Sequence, residues 1–162
     1  MSQRFVRAGK PSDAARIAAI YNEGIAGRGA TFETEPRTPD QILLWFEQGY
    51  PVCVAGEDGA VAAYAVAFPY SPRPCYSGVR DFSIYVAGAA QGKGFGVDAL
   101  SALIDEARRR GWWKLTSRVF PENTASRRLC AKLGFREVGV HEKHAQLEGA
   151  WRDVITIEKF LL

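Results

Sequence analysis

The stretch Ile84-Tyr85-Val86-Ala87-Gly88-Ala89-Ala90-Gln91-Gly92-Lys93-Gly94-Phe95-Gly96-Val97 sets the frame for the rest of the chain. Residues that favour extended backbone lead into a glycine-rich turn. Beyond it, Val97, Leu100, Leu103, Ile104 and Ala107 recur at helical spacing until Arg108-Arg109-Arg110-Gly111 ends the run with cations and a glycine. Glycines lack the Cβ that keeps a backbone away from a phosphate, and the unpaired N–H groups at a helix start favour an anion. A diphosphate suits such a turn. A Walker loop is excluded, because no Gly-Lys-Ser/Thr is present. A Rossmann turn fits poorly, because it belongs beside the first strand of a parallel βαβ unit and this turn lies mid-chain. Two readings remain open: the diphosphate-holding loop of an acyl-CoA enzyme, or a turn made tight only for packing.

Working outward, Val79 to Val86 reads as the strand that feeds the turn. Before it, the apolar runs Pro51–Ala55 and Val61–Ala67 flank Glu57-Asp58-Gly59, which predicts an antiparallel hairpin. Phe5-Val6-Arg7 reads as a first strand, followed by a helix that starts around Pro11-Ser12-Asp13 and carries Ile17, Ile20 and Tyr21. Gly24 to Pro39 reads as an irregular loop long enough for a lid, and Thr38-Pro39-Asp40 opens a second helix through Leu44, Trp45 and Phe46. Downstream come a strand at Lys114–Val119, a helix at Asn123–Lys132 stopped by Gly134, and strands at Arg136–Val140 and Trp151–Lys159. The order β-α-α-β-β-β-α-β-α-β-β mixes hairpins with crossovers. It predicts an α/β fold: a three-layer α/β/α sandwich on a mixed, mostly antiparallel sheet, in a single domain over residues 1–162.

Composition narrows the function classes. A chain of 162 residues, 47% hydrophobic and 24% charged, is an ordinary globular protein able to bury roughly 70% of its unfolded surface. Cys53, Cys75 and Cys130 are odd in number and without a CxxC, so neither a disulfide framework nor a metal site is expected. With no long apolar run and no signal-like start at Met1–Arg7, a cytoplasmic protein with no membrane partner is expected. The net charge of +3 is dispersed apart from Arg108–Arg110, which argues against nucleic acid while suiting an anionic cofactor.

Gln91-Gly92-Lys93-Gly94-Phe95-Gly96 resembles the Q/R-x-x-G-x-G/A signature of the GNAT acetyltransferases, and Asn123-Thr124-Ala125-Ser126 with Lys132-Leu133-Gly134-Phe135 resembles their Asn-x-x-Ser…Lys-x-Gly-Phe segment. Within that superfamily, Ile20-Tyr21-Asn22, Ala30 to Thr38, Tyr70-Ser71-Pro72-Arg73, Phe82 to Val86 and Gly149 to Val154 resemble the phosphinothricin N-acetyltransferases, with details nearest the arsinothricin-resistance branch. The likeness spans nearly the whole chain. It implies acetyl-CoA as cosubstrate and, as acceptor, the α-amino group of a phosphinothricin-like amino acid such as phosphinothricin, arsinothricin or methionine sulfoximine, detoxified by acetylation. It also implies a homodimer. Another small amine, a protein N-terminus, or a silent CoA sensor are the competing readings.

The same resemblance assigns roles. The pantetheine arm would pair with backbone at Ile84, Tyr85 and Val86, and the diphosphate would lie in Gly92, Lys93, Gly94, Phe95, Gly96 and Val97. Asn123 and Lys132 would touch the cofactor, although Asn123 suits a helix N-cap equally. Asp81 stands where the family carries a glutamate as general base, one methylene shorter, which leaves room for a bridging water. A free aspartate, of pKa about 3.9, is a feeble base unless burial raises it, and the plain alternative is a strand-end residue paired with Arg80. Arg73, between Pro72 and Pro74, offers a fork for a carboxylate, phosphinate or arsinate; its alternative is an ordinary loop arginine. Phe32 would close over the acceptor's carbon chain or else serve as core. Ser71, Pro72, Phe82 and Ser83 complete the acceptor set. Leu129-Cys130 stands where many relatives place a tyrosine acid, so solvent is left to protonate the thiolate and Cys130 reads as packing. Glu148 replaces a family histidine, with His144 four residues earlier. Trp112-Trp113 reads as core and interface packing.

Overall fold

The computed structural model describes residues 1–162, and its elements follow the predicted order: β1 (Arg4–Ala8), α1 (Ala14–Gly27), α2 (Pro39–Glu47), β2 (Val52–Glu57), β3 (Ala60–Pro69), β4 (Val79–Val86), α3 (Phe95–Arg109), β5 (Lys114–Val119), α4 (Thr124–Lys132), β6 (Arg136–Leu147) and β7 (Ala150–Phe160). The strands form one seven-stranded sheet in the order β1-β2-β3-β4-β5-β7-β6, in which only β4 and β5 run parallel. The helices α1 and α2 cover one face around Ile17, Ile20, Ile42, Trp45 and Tyr64. On the other face α3 and α4 close over Ala65, Phe82, Leu100, Leu103, Leu115 and Cys130. The expected three-layer mixed sandwich is therefore the observed one.

Local chemistry accounts for the elements. The Asp58-Gly59 turn takes left-handed φ values of 52° and 81°, the pair a two-residue hairpin needs. Thr38 caps α2, its hydroxyl accepting from Gln41 N at 3.3 Å while the Gln41 side chain accepts from Thr38 N at 2.9 Å, with Pro39 in the first turn. Along α3, Phe95, Ala99, Leu100, Leu103, Ile104 and Ala107 form one buried stripe, with Asp98 in its first turn and Arg108 and Arg109 in its last. That charge distribution opposes the helix dipole, and each fully buried leucine contributes about 2 kcal/mol.

Three expectations need correction. The first helix runs to Gly27, so the irregular loop begins at Arg28, not at Gly24. At Gly24 a Cβ would meet the Tyr85 ring at 3.0 Å, so close packing keeps a glycine in a helix that propensity would end. The strand β6 extends seven residues beyond Val140, to Leu147. Trp112 and Trp113 are half-buried: the ring of Trp112 is covered by the Arg80 guanidinium at 4.2 Å, and Trp113 fills the space beside Gly78, where a Cβ would lie 2.0 Å from its ring. The exposed aromatics are Trp151 and Phe160 on β7 and Tyr70 and Tyr76 in the loop between β3 and β4.

Candidate active site

The two edges of β4 differ. On one side it pairs with β3 from Arg80 to Val86, and on the other it pairs with β5 only at Val79, Arg80 and Asp81. Past Asp81 the parallel strands part. The Ser117 hydroxyl donates to the Phe82 carbonyl at 2.8 Å and satisfies one peptide group of the opening. A cavity of about 70 Å³ occupies the gap, lined by Ser83, Ile84, Arg118, Asn123 and Cys130 among others. It adjoins a groove of about 790 Å³ that also uses Ile84, Tyr85 and Asn123 and continues past the glycine turn to Lys132. An unpaired strand edge in a gap is an offer of backbone hydrogen bonds to an extended ligand.

The glycine turn forms the far wall of the groove. Gly92 and Gly94 have φ values of 78° and 87°, a conformation that a side chain would strain. The turn is held from outside by Arg4, which donates to the Lys93 carbonyl at 2.8 Å and to Asp98 at 2.9 Å, and whose guanidinium lies 4.2 Å over the Phe95 ring. Gly88 N donates to Glu23 at 2.7 Å, tying the start of the turn to α1. At Gly96 a Cβ would stand 2.5 Å from Leu129 and 2.9 Å from Val86, so the bare backbone lets α3, α4 and β4 meet. Asn123 caps α4, its carbonyl oxygen accepting from Ser126 N at 3.2 Å, and it lines both cavities. The two readings of this residue are thus compatible.

Asp81 marks the point where the strands part. Its carboxylate accepts from Arg118 at 3.1 Å, with side-chain exposures of 23% and 46%. The alternative pairing with Arg80 is overturned, because that guanidinium is turned onto Trp112. Burial pushes the Asp81 carboxyl above the ordinary aspartate value, with the Arg118 charge pulling the other way. Asp81 itself lines neither cavity; it stands in the last β4–β5 pair, beside Phe82 and Arg118, which do line the gap, and a raised carboxyl there is suited to accept a proton. Cys130 is buried, and its thiol is pushed up to about 12. Such a thiol does not ionise near neutral pH, in keeping with a packing role.

Other expected site residues lie elsewhere. Of the turn residues, Lys93 does not line the groove, and the Phe95 side chain is core at 1% exposure, leaving only its backbone to the turn. Phe32 packs edge-on against Phe120 at 4.7 Å beside Leu147 and Val154, and lines neither cavity. Ser71, Pro72 and Arg73 lie in the loop between β3 and β4, where Pro72 and Arg73 are exposed and Arg73 N donates to the Ser71 hydroxyl at 3.2 Å. That loop follows the pairs Phe68–Asp81 and Pro69–Arg80, at the end of β4 opposite the glycine turn. Glu148 is paired with Arg28, and His144 is exposed next to His141. Sequence reasoning missed Arg118, Ser117, Glu23 and Arg4. The first two face β4 across a crossover, and only the alternation of Leu115, Ser117 and Val119 against Thr116 and Arg118 hinted at which side each would take.

Residues 17–135 match the acetyltransferase (GNAT) family. The chain belongs to that family and is an acetyltransferase. A methionine sulfoximine/methionine sulfone acetyltransferase of Salmonella typhimurium is 34% identical over 153 residues, 92% of this chain and 90% of that protein. A phosphinothricin N-acetyltransferase of Streptomyces coelicolor is 31% identical over 161 residues, covering 95% and 94%. Among solved structures, a Salmonella typhimurium acetyltransferase with its cofactor acetyl-CoA superposes with a TM-score of 0.93 at 32% identity, over 98% of this chain and 94% of the other. A phosphinothricin acetyltransferase of Sinorhizobium meliloti in complex with acetyl-CoA gives 0.90 at 29% identity, over 98% and 88%.

Proposed function

We propose that this GNAT acetyltransferase uses acetyl-CoA to acetylate the α-amino group of phosphinothricin-like amino acids, phosphinothricin, arsinothricin and methionine sulfoximine among them, and so confers resistance by detoxification. The observation that carries the reading is the parting of β4 and β5 just past Asp81, which opens a gap between that carboxylate, held by Arg118, and the glycine turn that follows β4. The fit to acetyl-CoA rests on that gap, on the unpaired β4 edge from Ile84 to Val86, and on the two left-handed glycines where a Cβ would strain the turn. Bound there, acetyl-CoA supplies an acyl group activated as a thioester. The chain's own groups do the rest: backbone N–H groups of the turn offset the diphosphate charge, and the β4 edge orients the pantetheine arm. Asn123 and Lys132 flank the cofactor.

Only the lone pair of a neutral amine attacks a thioester, so the acceptor nitrogen must lose a proton, and Asp81 takes it directly or through a water. Arg73 holds an oxyanionic group of the acceptor, with Ser71, Pro72, Phe82 and Ser83 around it. Phe32 belongs to this set only through the loop it anchors against Phe120. Lys93 belongs to the glycine-rich loop through its place in the turn, where its carbonyl accepts from Arg4. The relatives that act on phosphinothricin and methionine sulfoximine support the acceptor class. We place the enzyme in the cytoplasm as a homodimer, supported by exposed Val138, Val140, Trp151 and Phe160 on the β6–β7 hairpin at the sheet edge. The experiment is thiol release from acetyl-CoA across a panel of amino acid analogues, polyamines and N-terminal peptides. Turnover led by phosphinothricin, arsinothricin or methionine sulfoximine supports the reading; turnover confined to polyamines or peptides replaces it. Calorimetry that detects no acetyl-CoA binding at millimolar concentration rejects it.

A further inference from the structure

Arg118 lines the gap between β4 and β5 and holds Asp81 at 3.1 Å, yet the reaction as described gives it no task. Nothing about packing requires a guanidinium there, since it is 46% exposed and its only ionic partner is the carboxylate expected to take a proton. An α-amino acid carries the complementary pair of charges. Its nitrogen and carboxylate carbon are about 2.5 Å apart, set by two bonds and the angle between them, so one molecule offers a partner to each of the two side chains once their 3.1 Å contact opens. We propose that Arg118 receives the α-carboxylate of the acceptor, and that a zwitterionic α-amino acid replaces the Asp81–Arg118 ion pair, its nitrogen meeting Asp81 and its carboxylate meeting Arg118.

The inference rests on the proposed N-acetyltransferase reading and sharpens its acceptor class. With the α-carboxylate on Arg118 of β5, Arg73 in the β3–β4 loop is left for the distal phosphinate, arsinate or sulfoximine end. A polyamine gains nothing from Arg118 and is repelled by it. The exchange leaves neither charge unpaired, because each trades one opposite partner for another. It also releases Asp81 from its cation at the moment it must accept a proton. The groups around Asp81 are few: Phe68 opposite on β3, Thr116 in register on β5, and Arg118 as the one charged group acting on it.

The test compares L-methionine sulfoximine with its decarboxylated amine as acceptors for the wild-type enzyme, Arg118→Gln and Arg118→Lys. The wild type is expected to favour the carboxylate-bearing acceptor by about tenfold or more in kcat/KM, a size set by a half-exposed charged contact. In Arg118→Gln that preference collapses through a rise in KM for methionine sulfoximine, and Arg118→Lys restores part of it. The acid limb of kcat/KM moves to higher pH in Arg118→Gln, because Asp81 without its cation is protonated more readily. An arginine that only pairs with Asp81 moves the acid limb but leaves the acceptor preference unchanged. Equal use of the two acceptors by the wild type, which needs no variant to fold, overturns the proposal, as does a preference that survives in Arg118→Gln. Absence of turnover with every amino acid overturns the functional reading itself, a separate outcome.

Discussion

The β3 edge of β4 is closed from Arg80 to Val86, whereas its β5 edge is closed only as far as Asp81. The closed edge is buried and aromatic, with Tyr64 and Tyr85 stacked at 5.7 Å across the ladder. The open edge is lined by hydroxyls, Asn123 and Arg118, and Arg118 ties it to the raised carboxyl of Asp81. One strand therefore serves stability on one side and chemistry on the other. A complete ladder leaves no backbone group free for a ligand, while an interrupted one leaves a row of them in a protected place. The largest break in this comparison is Asp81→Asn. The amide keeps the shape of the gap but takes no proton, so kcat is expected to fall by about 10²–10⁴-fold while acetyl-CoA affinity stays near wild type. Unchanged turnover in the thiol-release assay would remove Asp81 from the mechanism.

The closed edge was easier to read from sequence than the open one. The bounds of β4 and β5 follow from their residues, runs that favour extended backbone and are set off by Gly78 and Gly88 and by Gly111 and Pro121. The far half of β6, His141-Glu142-Lys143-His144-Ala145-Gln146, is almost wholly exposed and breaks register near Lys143, so no apolar period marks it as strand. At the site, the glycine turn was legible because its chemistry is local. The Asp81–Arg118 contact was not: its partners lie 37 residues apart and meet through a parallel pairing that only the folded sheet creates. Arg80, next in sequence, looked the better partner, but Trp112 offers it an aromatic face at 4.2 Å.

A second break acts on the groove beyond the open edge. Gly96→Val drives a branched side chain into Leu129 and Val86, where even a Cβ stands at 2.5 and 2.9 Å. The expected cost is about 1–3 kcal/mol of stability from overpacking, together with about a tenfold loss of acetyl-CoA affinity as α4 is displaced from the turn. Calorimetry and thermal melting measure the two effects separately; an unchanged Kd would mean that the α3–α4 approach does not shape the groove. Arg73→Ala is expected to do less. Its side chain is exposed in the free protein, so the acceptor KM is expected to rise only about fivefold with kcat retained. A fall in kcat instead would put Arg73 in the proton path.

The smallest effect sharpens the comparison from the closed side. The Tyr64 hydroxyl is buried between Tyr85 and Trp45 without a hydrogen-bond partner. Desolvating a hydroxyl and leaving it unpaired costs free energy that the ring's apolar contacts must offset. Tyr64→Phe removes the orphan oxygen and keeps the ring, so stability is expected to rise by about 0.5–1 kcal/mol, which at this chain length is a melting temperature higher by about 1–4 °C. Turnover should be retained, because Tyr64 reaches the gap only through Tyr85. A lower melting temperature would mean that a water completes the hydroxyl and that the closed edge, too, carries a polar network. A loss of turnover would show that the aromatic side of β4 positions the open one.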